Sequence, residues 1–123
     1  MASWDSEGFS TLLGRTLTSV QHDRDDEVVF HCADGTSWRL FHSQDCCECV
    51  VVHSVDGDFA DLIGTGPLVM AEEADSHESD SGDSVTWTFY KLATVRGYVT
   101  ITWRGESNGH YSESVSFARL VDA

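Results

Sequence analysis

The chain has 123 residues, of which 41% are hydrophobic and 23% charged, with 7 Lys+Arg against 21 Asp+Glu for a net charge of −14. That length fits one domain, residues 1–123, able to bury roughly two-thirds of its unfolded surface. The composition excludes a disordered tail, apolar runs as short as Val50-Val51-Val52 exclude a membrane-spanning helix, and the shortage of Lys and Arg excludes broad contact with nucleic acid.

Residues 1–14 read as a lead-in segment, with one or two helical turns over Ser6–Leu13 and Gly14 in a helix-ending position. Residues 1–20 combine no basic start with an apolar run, so no secretory signal is expected. From Thr16 the texture turns to β. Thr16–His22 and Glu27–Ala33 are strands about the polar turn Asp23-Arg24-Asp25-Asp26. Asp34-Gly35 predicts a type I′ hairpin turn, in which both central residues take positive φ. Thr36–His42 follows, with Trp38, Leu40 and His42 on one face and Ser37, Arg39 and Phe41 on the other.

Cys49–Val55 predicts another strand. Asp56 or Asp58 then caps a short helix, Asp58–Ile63, whose apolar stripe is Phe59, Leu62 and Ile63. Leu68–Ala71 resumes a strand, and residues 72–83 predict a solvated acidic loop with six acids and no base. The last third predicts a three-stranded antiparallel meander. Val85, Trp87 and Phe89, then Val99, Ile101 and Trp103, then Tyr111, Glu113, Val115 and Phe117 would form its buried face. Trp38, Trp87 and Trp103 are all expected in the core. The expected fold is mainly β (α+β): an antiparallel sheet of about seven short strands, partly rolled or sandwiched, with one or two short helices.

The charge is unevenly placed. Residues 1–83 hold 18 acids and 3 bases, and residues 84–123 hold 3 acids and 4 bases. Asp23, Asp25, Asp26, Glu27, Glu72, Glu73 and Asp75 are therefore candidates for an acidic face that steers a basic partner. The simpler alternative is that these acids keep a small protein soluble.

Three of the four cysteines fall within His42-Ser43-Gln44-Asp45-Cys46-Cys47-Glu48-Cys49. Adjacent Cys46 and Cys47 make a poor disulfide pair, so reduced thiols in a cytoplasm are expected. Cys46-x-x-Cys49 has a zinc-like spacing that His42 and His53 would complete, but no second such pair accompanies it. A thiolate at Cys46 or Cys47 with His42 as base would be opposed by Asp45 and Glu48, which repel negative charge. A structural turn capped by Asp45, with the thiols as small core groups, is the third reading. No cofactor is expected beyond that zinc option. Loop residues His42, Gln44, Asp45, Cys46, Cys47 and Glu48, beside Asn108, Tyr111 and Ser112, are candidates for binding.

Gly35-Thr36-x-Trp38-Arg39-Leu40-Phe41-His42-x-Gln44-Asp45-Cys46-Cys47-Glu48, Thr86–Thr94, Gly97–Trp103 and Glu106-Ser107-Asn108-Gly109-x-Tyr111 resemble a family of small uncharacterised proteins encoded mainly by tailed bacteriophages and prophages. The resemblance spans roughly residues 12–119 and implies a host-cytoplasm location, with no enzyme activity to carry over. The acidic stretch 72–83 and Cys49 look particular to this member, whereas Asp45–Glu48 and Ser107–Ser112 look like family core.

The expected function is an acidic protein that antagonises a host or defence protein, possible targets including a nucleic-acid-binding one, as an anti-CRISPR or polymerase inhibitor would. The alternative is a small-ligand module, for instance for a nucleotide signal, built on the 42–48 and 107–112 loops. Neither nucleic acid nor membrane is expected as a direct partner, and a homodimer through strand edges stays open.

Overall fold

The computed structural model describes residues 8–42, 48–80, 83–107, 113 and 115–120. Among these residues, eight strands form two four-stranded antiparallel sheets. The first contains β1 (Leu17–Arg24), β2 (Glu27–Cys32), β3 (Ser37–Phe41) and β8 (Ser116–Leu120), in the order β1-β2-β3-β8. The second contains β4 (Cys49–Asp56), β5 (Met70–Asp80), β6 (Asp83–Ala93) and β7 (Tyr98–Ser107), in the order β4-β7-β6-β5. The mainly β expectation holds, with one strand more than the sequence suggested.

One core is shared by both sheets. Val28, Phe30, Trp38, Leu40 and Phe117 come from the first, and Val50, Tyr90, Leu92, Val99, Ile101 and Trp103 from the second. Each lies on the inner side of a pleated strand, where alternate residues share a face. The lead-in segment supplies a wedge between them. Its described residues form a 3-10 turn, η1 (Phe9–Leu12), which buries both Phe9 and Leu12. The Phe9 ring lies 4.7 Å from Tyr90, 5.3 Å from Phe117 and 6.2 Å from Phe30 between centroids. It thus touches both sheets at once.

The Asp34-Gly35 hairpin joins β2 to β3, but not as a two-residue turn. Cys32 N donates to Thr36 O at 2.9 Å, which leaves three residues in the loop, and Gly35 takes φ 88° at its last position. That is the three-residue type, in which one left-handed residue follows a turn. The helix expected at 58–63 is one 3-10 turn, η2 (Phe59–Leu62), and Asp58 is its cap, accepting from Ala60 N at 2.9 Å. Asp56 ends β4 instead.

Three expectations about the last half are corrected. Residues 72–80 are not a loop: β5 pairs with β6 without a register shift from Met70↔Ala93 to Asp80↔Asp83. An edge strand needs backbone partners on one side only, so its side chains need not alternate, and charges on it deter pairing with other chains. The meander also breaks up. β6 and β7 pair as expected, but β8 joins β3 in the other sheet. Gly105 permits the crossing: a Cβ there would lie 2.7 Å from the carbonyl oxygen of Glu113.

The third correction concerns the facing of β6. Tyr90 and Leu92 are buried at 1% and 0% exposure, so by parity Ser84, Thr86 and Thr88 share the inner side. Val85, Trp87 and Phe89 point outward and are half-buried. Trp38 and Trp103 are core residues as expected, but Trp87 is not.

Candidate functional site

The two loops singled out in the sequence spring from neighbouring strands. Cys49 pairs with Glu106, so the described anchors of the two segments, Glu48 and Ser107, adjoin paired residues at one end of the second sheet. Gln44, Asp45, Cys46, Cys47, Asn108, Tyr111 and Ser112 lie outside the described residues. The side chains of His42 and Glu48 are both shielded from solvent, and the His42 ring Nε2 meets Glu48 Oε1 at 3.0 Å. This contact closes the base of the 42–48 loop. A buried partner for a carboxylate matters because an unpaired buried charge is costly.

Beside it lies a polar cluster that the sequence reading missed. The Glu113 carboxylate accepts hydroxyl protons from Ser107, Ser84 and Thr86, the last at 2.9 Å. Thr86 has given its one proton to Glu113, so it accepts from the His77 ring Nδ1 at 3.1 Å. Ser84 and Ser107 are buried. The clue in the sequence was Glu113 itself, an acid among Tyr111, Val115 and Phe117 at alternating positions. Desolvation pushes the Glu113 carboxyl up, but the hydroxyls of Ser107, Ser84 and Thr86 and the nearby His77 hold it below the ordinary glutamate range.

Ser84, His77 and Glu113 share the residue types of a hydrolytic triad, but not its wiring. In a triad the acid orients the histidine. Here Ser84 Oγ lies 3.4 Å from His77 Nε2, but Glu113 takes the Ser84 proton itself and reaches the other ring nitrogen of His77 only through Thr86. The cluster braces the chain crossing from β7 to β8. Its pH signature follows. The folded carboxyl titrates lower than the unfolded one, so the brace contributes fully above the ordinary glutamate range. That contribution is lost as pH falls through this range toward the lower folded value. Asp34, held low by the Thr36 hydroxyl and amide, acts in the same direction. Denaturant midpoints measured down through mildly acidic pH should therefore fall in the native protein, and fall less steeply in Glu113→Gln. Parallel curves for the two would contradict the assignment.

The acidic candidates separate into two groups. Asp23, Asp25, Asp26 and Glu27 surround the β1–β2 turn, which touches the middle of β4 where Val52 N donates to Asp25 O at 2.6 Å. Glu72, Glu73 and Asp75 lie on β5, at the opposite edge of that sheet. Three strand spacings separate those edges, about 14 Å. Charge is also spent locally: Arg24 bonds Asp26 at 3.1 Å and Arg39 bonds Glu27 at 2.9 Å. On β5, Glu72, Glu73, Asp75 and Glu78 are all exposed.

Glu73 accepts from the Tyr90 hydroxyl, and burial first, then the Glu73 and Asp75 carboxylates, push that hydroxyl far above the ordinary tyrosine value. In an alkaline absorbance titration Tyr90 should stay silent until the protein unfolds. Tyr90→Phe should then leave the native titration amplitude unchanged, and a smaller amplitude would show that Tyr90 ionises in the fold.

The zinc set does not assemble from what is described. Cys46 is outside the described residues, His42 is engaged by Glu48, and Cys49 and His53 stand four residues apart along β4, about 13 Å. The His53 ring lies edge-on against Trp87, 5.0 Å between centroids. Among the described residues, no three His, Cys, Asp or Glu side chains gather to hold a metal. Cys32 and Cys49 are free thiols, and burial raises the Cys32 pKa.

A domain of unknown function, DUF7448, covers residues 10–117. The chain belongs to this family. No curated protein and no solved structure matches it. The DUF7448 match runs through every strand up to the start of β8, so both sheets and the polar cluster belong to the family's domain. No helix among the described residues is long and apolar enough to cross a membrane.

Proposed function

We propose that this protein is a binding protein that acts by protein–protein contact, offering carboxylates to a basic surface. The observation that carries this reading is β5. Residues 70–80 contain no Lys or Arg, the strand is terminal in its sheet, and Glu72, Glu73, Asp75 and Glu78 are exposed along it. These carboxylates, Glu72 and Glu78 on one side of the strand and Glu73 and Asp75 on the other, raise encounter rates with a basic partner and repel nucleic acid. The resemblance to phage-encoded proteins supports a bacterial host or defence protein as the target. A target that itself binds nucleic acid has the basic surface required, and the setting is then the host cytoplasm.

The test is affinity capture of the tagged protein from bacterial lysate at low and high salt, run beside a Glu72→Gln, Asp75→Asn, Glu78→Gln variant. The expected result is one stoichiometric protein that high salt releases and that the variant retains poorly. Equal retention by both, at both salt concentrations, contradicts an electrostatic contact.

The register Cys49↔Glu106 favours a second reading, a small-ligand site formed by the 42–48 and 107–112 loops. A ligand present at a hundred times its Kd would stabilise the fold by about 2.7 kcal/mol. Thermal melting with a panel of cyclic mono- and dinucleotides reads this as a rise of several degrees. A flat panel removes the nucleotide version.

A further inference from the structure

The outward side of the second sheet is too apolar for a solvated face. Antiparallel sheets with one wet face alternate apolar-in and polar-out, yet β6 carries large apolar groups on both sides. Pairing across β4, β7, β6 and β5 arranges the outward residues in rows. One row is Val51, Arg104, Trp87 and Ser76; the next is Ser54, Thr102, Phe89 and Ala74. Val85 extends the apolar strip at one end. Tyr98, 72% exposed, Ala93 and Met70, 37% exposed, extend it at the other.

The border of this strip is acidic. Asp56, Glu72, Glu78 and Glu106 occupy the outward positions around it. Arg104 bonds Glu106 at 2.9 Å and sits over the Trp87 ring, and Lys91 pairs in register with Glu72, so these cations offset two of the rim acids and Asp56 and Glu78 carry the rim's net negative charge. An apolar centre inside an acidic rim has the anatomy of an interface core, with aromatic anchors surrounded by polar groups.

We infer that this outward face, centred on Trp87 and Phe89, docks a basic protein segment that carries apolar side chains. Charge complementarity selects that occupant. A second copy of this chain would bring an identical acidic rim against the first, and like charges facing each other across an interface are costly. A nucleic acid would meet the same carboxylates with its phosphates. The aromatic centre supplies affinity, and the rim, continuous with the acids of β5, supplies attraction at a distance. The inference rests on the acidic-binder reading and gives that reading its contact surface.

The test is a nuclear magnetic resonance titration of the isotope-labelled protein with short peptides containing Arg and Leu, and with matched peptides containing Glu in place of Arg. The Trp87 indole reports on the face, and the buried Trp103 indole reports that the fold is intact. The expected result is shifts at Trp87, Phe89 and Thr102 with the Arg peptides alone. Trp87→Ala should weaken that binding at least tenfold, about 1.4 kcal/mol. Thr100→Arg, which adds a positive charge to the face, should weaken it comparably.

Arg-peptide shifts confined to the β1–β2 turn overturn the docking face and leave the acidic-binder reading standing. No binding, or equal binding of the Glu peptides, overturns both. Dilution-dependent shifts of Trp87 without peptide make the occupant a second copy and also overturn it.

Discussion

Gly57→Ala should cost roughly 2–5 kcal/mol of folding stability, the sum of about 1–2 for a left-handed backbone and 1–3 for a clash in a packed region. Gly57 follows β4 with φ 111°, and a Cβ there would lie 2.5 Å from the Tyr98 carbonyl oxygen and 3.2 Å from Val99 Cα. The obstacle is backbone at the start of β7, which cannot swing aside as a side chain can. Gly35→Ala is the control. Its φ is 88°, but a Cβ there meets nothing within 4 Å, so only the backbone cost of about 1–2 kcal/mol applies. Denaturant unfolding of the two variants measures the difference. Equal costs would mean that the 57–98 approach is looser than described.

Phe9→Ala should cost about 3–5 kcal/mol, in the range for removing a buried aromatic side chain. Phe9 is 3% exposed and is the ring that Tyr90 of the second sheet shares with Phe30 and Phe117 of the first. Removing it leaves a hole where the sheets meet. Phe9→Leu should recover a substantial part of the loss. A Phe9→Ala cost below about 1 kcal/mol would show that the lead-in segment merely rests on the domain. The expectation of a short helical turn before Gly14 was sound, but one turn gave no sign of being a wedge. A Phe beside a Leu three positions on reads equally well as the apolar side of a surface turn.

The legible parts of the fold were those where one face is apolar and the other is not. Val99, Ile101 and Trp103 on β7, Trp38 and Leu40 on β3, and His42 just after it lie on the side their alternation required. Where both parities carry large apolar groups the rule has no unique answer. On β6, Val85-Trp87-Phe89 competes with Tyr90-Leu92, and tertiary packing chose the second. β5 was invisible for a different reason. Its acids give no burial signal, and the strand exists because β6 offers it a full ladder of backbone partners.

The destination of β8 depended on Gly105 and on a chain crossing whose polar brace involves residues far apart in sequence. Of the candidate site, His42 and Glu48 are the two binding candidates among the described residues, and their side chains meet. The sequence did not show that Ser84, Thr86 and His77 converge on Glu113, because that depends on the facing of β6. Nor could a charge total show that the acids divide between two edges of one sheet.

The most direct measurement is the rate at which the captured partner associates, followed as a function of ionic strength. If acids on β5 draw in a basic surface, the wild-type rate falls by about tenfold or more as salt is raised. The Glu72→Gln, Asp75→Asn, Glu78→Gln variant should then start near the wild type's high-salt value, with its dissociation rate little changed. An association rate that ignores salt, and is the same in the variant, would contradict the assignment of this protein as an acidic binder.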